Sequence, residues 1–503
     1  MPLKLNEIIR SYEPLKKSAF KEFRKENYKQ SLEDIYRAVG YVQQFNWIYS
    51  DEELEVLMGK ISRLKLSGKA NYLPNPDRVV LFDDWCTSYV LALQYIETLS
   101  LHFKEVLYVT GRDVSAMTYQ NILGTISQYA NVEVVVIPGN SDYFERSQLI
   151  LDTITAFCPS KLFLHIGYNS PISLALYSIP SGIVRYLINL SDQTFWLGTK
   201  AIDYTLEFRT FGATVSLEKR GLKKEQILFL PFYPVRDGNP FQGFPEQTKG
   251  KVVIFSGGDF YKTLDPENSY WNLVRDVLFE NPEAIFLYAT KNVMGQTDEF
   301  LKNFITKNNL ANRFIYIGFR PDIDEVFKHC DIFMGTCPVC GSLITQLAAI
   351  NSKPILQYYL PNTYDDETEQ ALCFNSDIQI SFNDKKAFMD EAKRLIQDKN
   401  YREQRGQLIY KAMFTREQFD AKFAEIMATN TALAPFKSID YKVVAERWWW
   451  CELLSFYDTI QQLFVFFGKR TYLKMFPTIA LKYYRNRLIA VLKRIKPKTK
   501  YEY

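Results

Sequence analysis

Apolar positions along the chain fall into two regimes. Up to residue 74 or so they recur at helical spacing. In "SLEDIYRAVGYVQQFNWIYSDEELEVLMGKISRLK" the positions Leu32, Ile35, Tyr36, Val39 and Val42 follow a period of three to four, which predicts amphipathic helices. One such hairpin resembles a unit of a helical repeat, but no second copy follows, so a repeat array is not expected. After "NYLPNPD" short continuous apolar runs take over: "RVVLFDD", "EVLYVT", "VEVVVIP", "KLFLHIG" and "VRYLINL". Helical stretches such as 90–101 and 148–157 separate them. Unbroken apolar runs with helices between them predict parallel strands covered on both faces.

The pattern restarts at "KVVIF", after the Pro- and Gly-rich "PFYPVRDGNPFQGFPEQTKG", which reads as an interdomain linker. It continues through "AIFLYA", "RFIYIG", "DIFMGT" and "PILQYY". The expected fold class is therefore α/β, with two tandem Rossmann-like doubly wound domains and helical extensions at both ends. The boundaries are 1–74 for a helical extension, 75–240 and 241–430 for the two domains, and 431–503 for a tail. A chain of 503 residues is too long for one core in any case. In such sheets ligands bind beyond the carboxyl ends of the strands, and two facing domains make a cleft there.

Three loops of the second domain converge on those strand ends. In "VVIFSGGDFYKTLDP" an apolar run ends in Gly257 and Gly258, then Asp259, two aromatics and Lys262, just before an expected helix. Paired glycines let backbone N–H groups approach a ligand, a helix start adds partial positive charge, and the lysine can neutralise a departing diphosphate. The spacing matches neither the P-loop nor the dinucleotide fingerprint. In "GFRPDIDEVF" Arg320 can face a planar base or pair with Asp322 or Asp324. In "GTCPVCGSLITQLAAINSKPIL" Gly341 and Ser342 open a helix whose free N–H groups suit a phosphate, unless Gly341 is a plain turn.

Composition narrows the classes. Hydrophobic residues make 47% and charged residues 23%, as in a soluble globular chain, and no signal peptide or membrane span is read, which places the protein in the cytosol by default. Seven cysteines with no disulfide framework fit a reducing compartment. Cys337 and Cys340 form a lone C-x-x-C without a second pair, which reads as buried small residues rather than a metal site, and the three histidines are scattered. No metal is expected. The net charge of +4 hides an asymmetry: from Phe436 onward there are fourteen Lys or Arg against five Asp or Glu. This tail, with Lys469, Arg470, Lys474, Arg485, Arg487, Lys493 and Arg494 among aromatics, reads as helices packing back on the domains or as a contact with an anionic membrane surface at the inner face. Nucleic acid is not an expected partner, since the basic excess is confined to that tail.

The second half resembles the GT-B glycosyltransferases, and more narrowly the O-linked N-acetylglucosamine transferases and the bacterial cytoplasmic asparagine-glucosylating transferases. The likeness rests on "FSGGDFYKTLDPENSYWNLVRDVLFENPEAIFLY", "NRFIYIGF" and "CDIFMGTCPVCGSLITQLAAINSKPIL", with "HIGYNSPISLALYSIP", "RYLINLSDQTFWLGTKAIDY" and "ILFLPFYP" on the acceptor side. It covers roughly residues 78 to 360. The resemblance implies an inverting, metal-independent transfer of a hexose or N-acetylhexosamine from a UDP-sugar, with no further cofactor, to a glycan, lipid-linked glycan or protein acceptor. It implies that Lys262 contacts the diphosphate and stabilises the leaving group, that Gly257, Gly258, Asp259, Arg320 and Gln346 belong to the donor site, and that Gly341 and Ser342 hold the phosphates. Asp84 of "LFDDW" is the first candidate for the carboxylate that takes or orients the acceptor proton, and Asp192 of "LSDQTFW" the second. Asp83 in that role, or all three as loop caps, stay open.

Two departures accompany the likeness. The family's histidines after the first strand are replaced by Thr87, Ser88 and Tyr89, and Leu347 stands where an acid usually binds the donor ribose, with Gln346 beside it. A UDP-sugar epimerase and a non-catalytic scaffold are the competing readings. If the tail contacts a membrane, truncation after Thr431 is expected to abolish liposome binding and leave donor binding intact.

Overall fold

A computed structural model describes residues 5–68, 72–84, 90–111, 115–139, 142–167, 172–236, 238–291, 296–361 and 367–454, with a few isolated positions between 481 and 491. It contains two all-parallel sheets. The first joins β1 (Asn75–Asp83), β2 (Glu105–Thr110), β3 (Val132–Val136), β4 (Pro159–His165), β5 (Val184–Ile188), β6 (Tyr204–Glu207) and β7 (Ile227–Phe229) in the order 3-2-1-4-5-6-7. The second joins β8 (Val252–Gly257), β9 (Ala284–Ala289), β10 (Phe314–Gly318), β11 (Ile332–Met334), β12 (Ile355–Tyr358) and β13 (Ser381–Phe382) in the order 10-9-8-11-12-13. All ten runs read from the sequence are strands. The structure adds β6, β7 and β13, which have four, three and two residues.

Side chains alternate across each strand, so both faces of both sheets are covered. In β1, Val80 and Phe82 face one core, and Val79 and Leu81 the other. In β8, Ile254 faces one core, and Val253 and Phe255 its opposite. The amino-terminal helices Leu5–Arg24, Tyr28–Phe45 and Glu52–Lys65 are part of the first domain's core, since Leu32, Ile35, Val39, Val42, Leu57 and Ile61 share a cluster with Val80 and Phe82. Polar contacts fasten them there. The buried Glu55 accepts from Thr199 N at 3.0 Å and Lys200 N at 2.8 Å, and Asp51 caps the third helix while accepting from Tyr12 of the first at 2.6 Å.

The linker lies along the second domain. Phe241 stacks on His329 at 3.9 Å, and Gln242 N donates to Asp322 at 2.7 Å. After the second sheet the chain returns to the first: the helix Arg416–Thr429 buries Phe419, Phe423 and Ile426 against Tyr95, Phe163 and Tyr233. The tail begins with the helix Tyr441–Leu454, held to the first domain by a 2.8 Å hydrogen bond from Tyr441 to Glu218 and by the Lys219 ammonium 4.0 Å above the Tyr441 ring. Apart from isolated positions, the basic and aromatic residues beyond 454, on which a membrane contact was expected, lie outside the described residues. Among the described residues no helix is long and apolar enough to cross a membrane.

The returning helix predicts its own cost of removal. Phe423→Ala deletes a fully buried ring and should lower stability by about 3–5 kcal/mol in denaturant titration.

Candidate functional site

A cavity of about 750 Å³ opens between the two halves, at the carboxyl end of β8 and facing the first sheet's loops. That is ample for a nucleotide-sized ligand. Gly257, Gly258, Asp259, Lys262, Arg320, Gly341 and Ser342 all line it. Asp84, Asp192 and Gln346 do not.

The turn after β8 needs both glycines. A methyl group on Gly257 would stand 2.9 Å from the Ala289 carbonyl oxygen of the adjacent β9, and Gly258 has φ +135°, which side chains rarely adopt. The chain then makes a single 3-10 turn, Phe260–Thr263, which carries Lys262. The expected helix follows only at Ser269, and its start is satisfied from within: Asp265 accepts from Glu267 N at 2.9 Å and from Ser269 N at 2.8 Å. Its partial charge is therefore not offered to the cleft, which corrects the sequence reading.

A different helix supplies that charge. Ser342–Ile350 starts at Gly341 with no side-chain cap, so its first N–H groups remain available at the cavity wall. A methyl on Gly341 would stand 3.8 Å from the Lys262 ammonium, so the lysine and the uncapped helix end meet at one place, and Val339 N donates to the Lys262 carbonyl at 3.3 Å. Among the described residues no carboxylate pairs with Lys262. Two positive features that meet at one place form an arrangement that suits an anion.

The other charged groups are committed. Arg320 holds Asp322 through two contacts of 2.7 and 2.5 Å, donates to the Gly243 carbonyl at 2.9 Å, and lies over the Phe241 and Phe244 rings. It clamps the linker, so the pairing alternative describes it better than base stacking, although its edge reaches the cavity. Asp192 is fully buried, and both its oxygens accept from Arg209, at 2.6 and 2.8 Å. Burial works against the Arg209 charge, but Asp192 and Glu367 outweigh it and keep the guanidinium protonated. A carboxylate so held is an ion-pair partner rather than a base.

Gln346 turns away from the cleft, its amide near the Ala371 carbonyl at 3.2 Å and the Phe232 carbonyl at 3.4 Å. The same helix presents Leu343, Ile344 and Leu347 to the cavity, giving an apolar wall. Of the pair in "LFDDW", Asp83 points inward, bonded to Tyr108 at 2.6 Å and His165 at 2.8 Å. Asp84 stands at the end of β1, its side chain 12% exposed with Arg146 at 3.9 Å. Thr87, Ser88 and Tyr89 lie outside the described residues.

Three cavity residues escape sequence reading. Arg209, Glu367 and Arg447 come from the first domain, the second domain and the tail. Glu367 accepts from Arg447 at 2.6 Å and from the Cys340 thiol at 3.3 Å, with Arg209 at 3.9 Å. Burial and Glu367 push the Cys340 thiol up to about 12, so it stays protonated and donates. No local pattern marks these residues.

Solved structures share this architecture. A mutant of O-GlcNAc transferase from Thermobaculum terrenum superposes with a TM-score of 0.53 at 14% identity, over 86% of this chain and 82% of its own. HepE from Anabaena, in complex with UDP and glucose, gives 0.51 at 15% identity over 70% and 99%, and a glycosyltransferase from Rickettsia africae gives 0.51 at 12% over 71% and 100%. The chain has the GT-B fold. No protein-family model and no curated protein matches it.

If Asp192 is the partner of Arg209, Asp192→Asn should cost about 3–5 kcal/mol of stability by denaturant titration, the penalty for stranding a buried guanidinium. A base without that role would lose turnover and keep its stability.

Proposed function

We propose that the protein is a glycosyltransferase that moves a hexose or N-acetylhexosamine from a UDP-sugar to a glycan or protein acceptor, with inversion and without a metal ion. One observation carries the reading: the unpaired Lys262 ammonium beside the uncapped start of Ser342–Ile350, at the carboxyl end of β8. A diphosphate placed there meets one full positive charge and a row of N–H groups. As the bond from the sugar to the β-phosphate breaks, negative charge grows on the departing UDP. Groups already aimed at it stabilise that charge without reorganising, which is the service a divalent cation gives elsewhere. HepE, of the same fold, holds UDP and glucose in its crystals.

The acceptor proton needs a destination on the first domain's side. Asp84 at the end of β1 is the candidate there, and Asp192 is set aside because Arg209 occupies both its oxygens. In an inverting transfer the acceptor oxygen attacks as the diphosphate leaves, so a single carboxylate suffices.

A second reading, a non-catalytic GT-B scaffold that binds a glycan or a partner enzyme, draws support from Leu347, which puts an apolar side chain at the cavity wall. It predicts no rise in melting temperature with UDP and no UDP release from UDP-glucose or UDP-N-acetylglucosamine.

Saturating UDP should stabilise the protein by on the order of 2–4 kcal/mol in thermal unfolding. Lys262→Ala should lower the rate of UDP release about 10²–10³-fold, as loss of a leaving-group contact does. Its ligand-free stability should stay within about 0.5 kcal/mol of wild type, because the lysine has no ion-pair partner among the described residues to lose. Full turnover in that variant would overturn the assignment.

A further inference from the structure

The helix Tyr441–Leu454 lies where two halves of the molecule and the lysine turn meet. Val444 and Arg447 line the cavity, and the helix packs on both Tyr28–Phe45 of the first domain and the turn Phe260–Thr263 that carries Lys262. Its segment is stitched to the first domain by Lys437 N donating to Thr214 at 3.0 Å, by Tyr441 against Tyr49, and by the buried Ile439 and Val444. Arg447, 6% exposed, then reaches across to Glu367 of the second domain.

Glu367 lines the same cavity as Lys262, Gly341 and Ser342. Its carboxylate accepts from Cys340, the residue before Gly341, so a full negative charge lies beside the uncapped start of Ser342–Ile350. Burial pulls the Glu367 carboxyl upward, but the guanidinium groups of Arg447 and Arg209 outweigh it, and the group titrates below the ordinary carboxylate range. It is therefore ionised. Arg209 cannot neutralise it alone, since its own charge is committed to Asp192 at 2.6 Å while Glu367 is 3.9 Å away. The contact at 2.6 Å comes from the tail.

We infer that Arg447 is a positioning residue for the donor: by pairing with Glu367 it cancels a buried negative charge beside the proposed diphosphate site, so that the tail completes that site. The inference rests on the donor reading above. It also reverses the sequence expectation that the tail is dispensable for donor binding.

The test is UDP affinity by calorimetry on the full chain, with ligand-free melting measured alongside. Arg447→Ala should weaken UDP binding by at least about tenfold, since an unneutralised buried carboxylate then faces the anion. Glu367→Gln should bind UDP at least as tightly as wild type, because the amide removes the repelling charge and leaves the arginine. The double variant Arg447→Ala, Glu367→Gln should return to within about threefold of wild type, as expected when the two changes act through one pair. Unchanged affinity in Arg447→Ala would overturn the inference and leave the donor reading standing. So would a Glu367→Gln variant as weak as Arg447→Ala, or a double variant no better than it, since either result makes the pair a structural pin. A wild-type protein that does not bind UDP would remove the donor reading and this inference together, with every variant equally silent.

Discussion

Burial of both faces of both sheets is the constraint from which the rest follows. Val79 and Leu81 against Val80 and Phe82, and Val253 and Phe255 against Ile254, leave no sheet surface open to a ligand. Backbone groups are then accessible only where strands end and helices begin. The amino-terminal helices cover one face of the first sheet, and the returning helix Arg416–Thr429 covers part of the other, so the open ground is the cleft between the strand ends.

Within the cleft the choice of cation separates scaffold from ligand contact. Arg209 and Arg320 meet Asp192 and Asp322 through two contacts each, using the planar fork of the guanidinium, and so are spent on holding loops and linker. Lys262 carries a compact charge on a flexible stem, with no carboxylate partner among the described residues. The remaining negative charge, Glu367, is balanced from the tail. Four side chains, Asp192, Arg209, Glu367 and Arg447, thus form one buried ladder of contacts from the first domain to the tail.

Much of the fold was legible because strand burial writes itself locally. "EVLYVT" and "AIFLYA" coincide with β2 and β9 residue for residue, while β13, two residues long, carries no readable pattern. The lysine turn and the helix opening at Gly341 were each legible on their own, since the glycine pair lies within a few residues of Lys262 and Gly341 adjoins the helix it opens; that the two meet was not. Roles decided by distant partners were not. Gln346 stands beside Leu347 in sequence, yet its amide faces a carbonyl 114 residues away, and the helix turns Leu347 to the cavity instead.

The sequence by itself determined two α/β domains and the anion-seeking residues at the ends of the second sheet, since periodicity, glycine conformation and charge act over a few residues. Tertiary structure alone decided which charges remain uncommitted. Buried pairing joins Arg447 to Glu367 over 80 residues and Arg209 to Asp192 over 17, and the energy of a buried charge is set by what folding brings to within about 4 Å of it, which no local pattern records.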